Sequence, residues 1–253
     1  MRSASVEIWQ IFVLALVGVL AGWLNVMAGG GSLLTVPVML FMGIPGPVAN
    51  GTNRIAILAQ NITAVTTFRR RGFSDYKLSL SLATAAAVGA LGGASLGVHL
   101  QGEWFDRVLA LVMVGVMILM ATGQDRVKPV GGDAKAKNLL LGHILMVGAG
   151  FWGGFIQIGV GFILMPILHR VMGLDLVRVN MHKVFVVLVF TIVALAVFAS
   201  QLELLWWTGL GLAVGNSIGG WLGAHTTVTH GEKLIRWVLY FALTAFIIKL
   251  LFF

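Results

Sequence analysis

The chain has 253 residues, of which 58% are hydrophobic and 10% charged, and its mean hydropathy is +0.97. Such a composition cannot clothe a water-soluble surface, so a soluble fold is excluded and an all-α polytopic membrane protein is expected. The absence of cysteine rules out disulfide frameworks and thiolate metal sites, and the net charge of +8 reads as topology-setting loop lysines and arginines, with no nucleic-acid partner.

In chain order, the first apolar run covers residues 8–28. It is too long for a signal-peptide core and leads into more apolar sequence, so no cleaved targeting segment is expected. It is then broken by Gly29-Gly30-Gly31-Ser32. Residues 33–42 form a piece of about ten residues, enough for about half a bilayer at ~1.5 Å per residue. A polar cluster follows, Asn50-Gly51-Thr52-Asn53-Arg54, with Gln60 and Asn61 about two turns on, and then the basic loop from Arg69-Arg70-Arg71 to Lys77. Residues 78–100 and 104–124 read as ordinary crossing helices. Residues 138–172 repeat the interrupted pattern, broken at Ile158-Gly159-Val160-Gly161 before a short piece over 162–171. Asn180-Met181-His182-Lys183 comes next, and residues 203–224 and 234–253 read as two more ordinary helices.

The recurrence has a register. Trp23 and Trp152 are 129 apart, as are Pro37 and Pro166, and Asn50 and Asn180 are 130 apart. Gly89, Gly93, Gly97 and His99 return 126 residues later as Gly215, Gly219, Gly223 and His225, and Gly102, Glu103 and Arg107 return at 129 as Gly231, Glu232 and Arg236. The pattern predicts one duplicated unit, with a first repeat over 1–127, a basic cytoplasmic linker over 128–137 and a second repeat over 138–253. Orientation follows from the loops. Arg69 to Arg71, Arg126, Lys128, Lys135, Lys137, Arg170 and Arg178 share one side if each copy makes an odd number of crossings, whereas the loop at 200–203 carries no positive charge. Two inverted-topology repeats are therefore expected, each a glycine-broken hairpin, re-entrant or discontinuous, followed by three crossing helices, with both termini outside.

Broken helices that meet near the midplane of an inverted pair form substrate sites in transporters. Gly29, Gly30, Gly31 and Ser32 would offer free N–H groups and the positive end of a helix to an anion, and Gly159 and Gly161 would do so from the opposite side. Arg54 and Lys183 stand at mirror-related depths, about 10 Å along their helices. With Asn50, Thr52, Asn53, Gln157, Asn180 and His182 they would suit an oxyanion with several acceptor oxygens. The plainer alternatives are glycines that only permit close packing, cations that snorkel to the interface and a packing histidine in place of a proton carrier.

The stretch AGGGSLLTVPVMLFMGIPGPVANGTN at residues 28–53 and its echo QIGVGFILMPILHRVMGLDLVRVNMHK at residues 157–183 resemble the TauE/SafE family of sulfite and organosulfonate exporters. The resemblance carries Gly29, Gly30, Gly31, Pro37, Asn50 and Thr52 onto the first motif and Gly159, Gly161, Pro166 and Asn180 onto the second. It implies a bacterial inner-membrane transporter of small sulfur oxyanions or sulfonated or carboxylated organic anions, exporting them without ATP or cofactor, with a proton or sodium as the possible coupling ion. The second motif departs from the first at Val160 and at Met181-His182-Lys183. An anion channel, or a permease for other small organic anions, is the alternative.

Gly93-Ala94-Ser95-Leu96-Gly97 and Gly215-Asn216-Ser217-Ile218-Gly219 also match the serine-hydrolase pattern G-x-S-x-G. That elbow needs a strand before it and a helix after it. Glycines at intervals of four inside helical spans instead predict one smooth packing face in each copy. No H-E-x-x-H pattern and no phosphate-binding G-x-x-x-x-G-K occurs, so neither a metal site nor ATP hydrolysis is expected.

Overall fold

The computed structural model describes residues 8–100, 102–121 and 136–227. The expected helix over 234–253, the repeat boundary at 127 and 128, both termini, and Arg126, Lys128, Lys135, Gly231, Glu232 and Arg236 lie outside the described residues. Among the described residues every regular element is helical: α1 (Ile8–Ala28), α2 (Ser32–Phe41), α3 (Gly46–Arg70), α4 (Tyr76–Gly97), α5 (Glu103–Ala121), α6 (Leu139–Phe155), α7 (Val160–Pro166), a π-helical turn (Ile167–Val171), α8 (Leu176–Gln201) and α9 (Trp206–Thr227). Trp9–Met27, Tyr76–Gly97 and Leu176–Gln201 are long and apolar enough to cross a bilayer. Their outward faces carry large apolar side chains such as Leu16, Leu80 and Ile192, as lipid requires.

Both expected breaks occur, and each turns the chain back. A Cβ on Gly31 would stand 2.2 Å from the carbonyl oxygen of Ala21, so α2 returns directly against α1. Aspartates cap the helices that follow two of the loops: Asp75 Oδ1 accepts from the N–H of Leu78 at the start of α4, and Asp175 Oδ1 accepts from Val177 and Arg178 at the start of α8. The spacing between the halves grows from 129 at Pro37 and Pro166 to 130 at Gly43 and Gly173. The extra residue falls where α7 gives way to the π-helical turn, which absorbs it by lengthening the hydrogen-bonded ring.

Helix packing is set by the glycine faces. Gly89, Gly93 and Gly97 of α4 lie on the backbone of α6 at Val147, Phe151 and Phe155, while Gly215, Gly219 and Gly223 of α9 lie on α1 at Ala15, Val19 and Trp23. A methyl group at Gly89 would come within 1.9 Å of the Val147 carbonyl oxygen, so these faces are backbone-to-backbone contacts of the kind that replace hydrophobic driving force in lipid. In both pairs residue numbers rise together, so α4 runs parallel to α6 and α9 parallel to α1. The same faces match Trp23 with Phe155, a spacing of 132, so Trp152 sits about one turn away from the place its sequence echo implies.

The third helices cross in opposite senses. Gly51 of α3 meets Phe198 near the end of α8, whereas Phe68 near the end of α3 shares a core cluster with Met181 and Val184 near the start of α8. Thr52 and Gln60 of α3 meet Gly209 and Gly220 of α9, so α3 runs with α9 and α1. Ser79 of α4 bonds to His182, and Ala94 and Val98 share a cluster with Ala194 and Phe198, so α4 runs with α8. One end of the molecule consequently collects Arg69, Arg70, Arg71, Lys77, Lys137, Arg170 and Arg178 against Asp75 and Asp175. The other end carries Glu103, Asp106 and Glu203 against Arg107. They are called the basic and acidic ends below.

Candidate functional site

The two hairpin tips touch. Gly29, with φ +83°, lies so close to Gly161 that a Cβ on it would be 2.2 Å from the Gly161 Cα, and the reverse substitution meets the Gly29 Cα at 2.1 Å. Only glycine fits a left-handed residue pressed on another backbone. In the second tip Gln157 takes φ +62° with a buried side chain, an uncommon conformation for a residue with a Cβ. The turns use several of their own donors: the N–H of Gly29 bonds to Asn25, that of Val160 to Gln157 and that of Phe162 to Gly159.

Behind the tips, each cation grips the end of the opposite hairpin. Arg54 is fully buried and donates from Nη1 to the carbonyl of Gly153 at 2.9 Å and from Nη2 to that of Gly154. Asn50, one turn earlier on α3, donates to the carbonyl of Phe155 at 3.0 Å. Three successive carbonyls at the C-terminus of α6 are thus capped by α3, where a cation also complements the negative end of the helix dipole. Phe198 covers the guanidinium, its ring centroid 4.4 Å away. On the other side Lys183 of α8 donates from Nζ to the carbonyl of Val26, near the end of α1, at 2.7 Å.

The remaining predicted residues divide by position. Asn53 accepts from Thr35 at 2.7 Å and donates to Ser32 at 3.2 Å, fastening the first turn of α2. The hydroxyl of Thr52 accepts from the N–H of Leu205, which ties it to the loop between α8 and α9. Gln157 Nε2 donates to Thr191 at 2.9 Å, while its Oε1 has no hydrogen-bond partner among the described residues. His182 Nδ1 and the hydroxyl of Ser79 are 2.8 Å apart. Asn180 is buried with Oδ1 unpartnered.

A closed cavity with room for about one water molecule lies beside the tip contact. It is lined by Asn25, Ser32, Asn61, Gln157 and Lys183, with Gly29, Val160 and Gly161 from the tips. It therefore gathers Gly29, Ser32, Gln157, Gly161 and Lys183 from the predicted set. Asn50, Thr52 and Arg54 are not among its lining, nor are Asn53 and Asn180. A larger cavity of about 600 Å³ enters from the basic end between Ser74, Asp75, Leu78, Leu174 and Arg178, and His182 lines it.

Sequence reasoning named Gln60 but not its partners. Gln60 Oε1 accepts from Asn25 at 3.2 Å and from Asn216 at 3.4 Å, an amide cluster joining α1, α3 and α9. The contact register of 132 makes Asn25 the mate of Gln157, and each bonds to its own copy's third helix, but the sequence spacing of 129 pairs Asn25 with Gly154 and hides the match.

Comparison with known proteins agrees with this architecture. The family model described as "Sulfite exporter TauE/SafE" matches residues 14–250. The chain is 27% identical to "Probable membrane transporter protein ORF9" of a Sinorhizobium species, over 95% of this chain and 91% of that protein. It is also 27% identical to "Probable membrane transporter protein YfcA" of Escherichia coli K12, over 88% of this chain and 83% of that one. A "Probable membrane transporter protein" of Haemophilus influenzae is 26% identical over 88% of each chain. No solved structure matches.

Proposed function

The chain belongs to the sulfite exporter TauE/SafE family, a multi-pass membrane transporter family, and from that premise we propose a secondary transporter that moves a small sulfur-containing anion, such as sulfite or an organosulfonate, by alternating access. The observation that carries the reading is the closed cavity at the tip contact. A buried lysine and neutral hydroxyl and amide groups line it, and among the described residues its lining contains no carboxylate. A buried cation among neutral hydrogen-bonding groups favours an anion with several acceptor oxygens. Lys183 supplies charge, Ser32 and Gln157 hydrogen bonds, and Arg54 acts through the hairpin that it holds.

The two halves form an inverted pair in this reading. Its support is that α3 crosses α8 antiparallel while the contacts α1 with α9 and α4 with α6 exchange between copies. The basic end faces the cytoplasm of a bacterial inner membrane, and export is the working direction. None of this asks for catalysis, ATP or a cofactor, and Ser95, the serine of one hydrolase-like match, sits inside α4 with its hydroxyl bonded to the Leu91 carbonyl.

The test is thermal stability of the detergent-solubilised protein against sulfite, sulfate, thiosulfate, sulfoacetate, taurine, lactate and chloride, since a ligand that binds only the folded form raises the melting temperature. A selective rise with sulfite or a sulfonate is expected. Absence of any shift at tens of millimolar anion would remove the anion site.

A further inference from the structure

The polar groups around the cavity at the tips differ in what they have left to offer a ligand. Asn25, Asn61 and Gln157 each spend an amide hydrogen on the protein, on the Gln60 side chain, the Ile57 carbonyl and the Thr191 hydroxyl. Lys183 brings its ammonium to the cavity while donating to Val26. Ser32 accepts from Asn53, which leaves its O–H to donate. Against these donors stands an acceptor. Gln157 Oε1, on a side chain 2% exposed, has no hydrogen-bond partner among the described residues, and a buried acceptor left unpaired is costly. The same residue holds φ +62°, a conformation that glycine would adopt without strain. Two costs at one position point to a side chain that a ligand uses.

We propose that Gln157 Oε1 selects the cargo, a monoanion that carries its own hydrogen-bond donor, such as hydrogen sulfite in its hydroxyl form or a sulfonate bearing a hydroxyl group. The inference rests on the anion-site reading above and narrows it. The acceptor oxygens of such an anion take the Lys183 ammonium and the Ser32 hydroxyl, and its donor fills Gln157 Oε1. Sulfate has acceptors alone, so one of its oxygens would face the Gln157 carbonyl oxygen with no hydrogen between them. It would also bring a second negative charge to a lining whose cation, among the described residues, is Lys183. Thr191 is a positioning residue here: by accepting from Nε2 it leaves Oε1 for the anion. A site built around such a group rejects an analogue that lacks the matching hydrogen more strongly than one that differs by a methylene.

Sulfamate, methanesulfonate and sulfate are tetrahedral anions of similar size that isolate the donor. The first is a monoanion with N–H groups, the second a monoanion with a methyl in their place, and the third an acceptor-only dianion. Binding of each is measured by calorimetry on the detergent-solubilised protein. Sulfamate should bind at least about tenfold more tightly than methanesulfonate, the difference expected when a buried acceptor goes unpaired, and more tightly than sulfate. Gln157→Met removes the acceptor without β-branching, and should bring sulfamate down to the methanesulfonate affinity while leaving methanesulfonate unchanged. Equal losses for both anions would mark a structural residue and overturn the inference. So would methanesulfonate or sulfate binding the natural chain as well as sulfamate does, the result expected if the amide sits reversed with Nε2 towards the anion. Where Gln157→Met does not fold, Thr191→Val frees the amide to turn, and the preference for sulfamate should shrink; a preference left intact would overturn the inference. Binding without preference removes this inference alone, whereas binding of none of the three, with no anion-induced rise in melting temperature, removes the anion site as well.

Discussion

Lys183 has two obligations, and substitutions separate them. Its ammonium holds the Val26 carbonyl and also lines the closed cavity. Lys183→Gln keeps a donor for the carbonyl and deletes the charge. The anion-induced rise in melting temperature should therefore disappear, with affinity falling at least tenfold in equilibrium binding, while the ligand-free protein melts within a few degrees of the parent. Gln157 is tested through its backbone. At φ +62° a β-branched residue is a steric outlier costing on the order of 1–3 kcal/mol, so Gln157→Val should lower the ligand-free melting temperature and Gln157→Asn should not. The side chains now seen at the cavity were only partly legible in the sequence. Ser32, Gln157 and Lys183 flank visible glycine breaks or repeated asparagines. Asn61 was visible beside Gln60, whereas Asn25 is a single polar residue in a long apolar helix and its partner lies 35 residues away. Arg54 stood out as a cation set in apolar sequence, with snorkelling left open, but its partners are the carbonyls of Gly153 and Gly154, and backbone groups leave no trace in residue identity.

At the scale of elements, the glycine rows decide which helices can touch. Gly89 of α4, at the contact with α6, and Gly148 of α6, facing away from it, make a matched pair of tests. A Cβ at Gly89 would overlap the Val147 carbonyl oxygen, whereas one at Gly148 meets nothing within 4 Å. Gly89→Ala should force the helices apart and cost about 1–3 kcal/mol, read as a drop in melting temperature. Gly148→Ala should be neutral or stabilise by up to about 1 kcal/mol through helix propensity. Equal effects of the two substitutions would mean that close approach does not set the packing. Periodicity revealed these rows because four-residue spacing stays on one helix face, and a glycine triplet and its echo Gly159-Val160-Gly161 revealed the tips because no continuous helix tolerates clustered glycines cheaply. The π-helical turn was present only as a one-residue growth in repeat spacing after Pro166. Register alone does not say whether such a residue enters a loop or a helix; the bond pattern of Ile167–Val171 does.

For the molecule as a whole, charge and direction of the helices make a joint prediction. The contacts bring the ends of α3 and the starts of α4, α6 and α8 to one side, and among the described residues seven cations gather there against two acids, while three acids and one arginine occupy the other. Lysine and arginine near helix ends are retained in the cytoplasm, so the basic end should lie inside. A single cysteine in place of Ser74, at the basic end, should react with an impermeant maleimide only after the cells are permeabilised. One in place of Glu203, at the acidic end, should react in intact cells. Both positions are exposed, so neither result depends on a gate. The reverse pattern would turn the whole molecule over, and the basic-end cavity that His182 lines would then open to the outside. Replacing Arg69, Arg70 and Arg71 together by glutamine removes three of the seven cations, and a mixed labelling pattern is then expected if loop charge, more than helix packing, fixes the orientation during insertion.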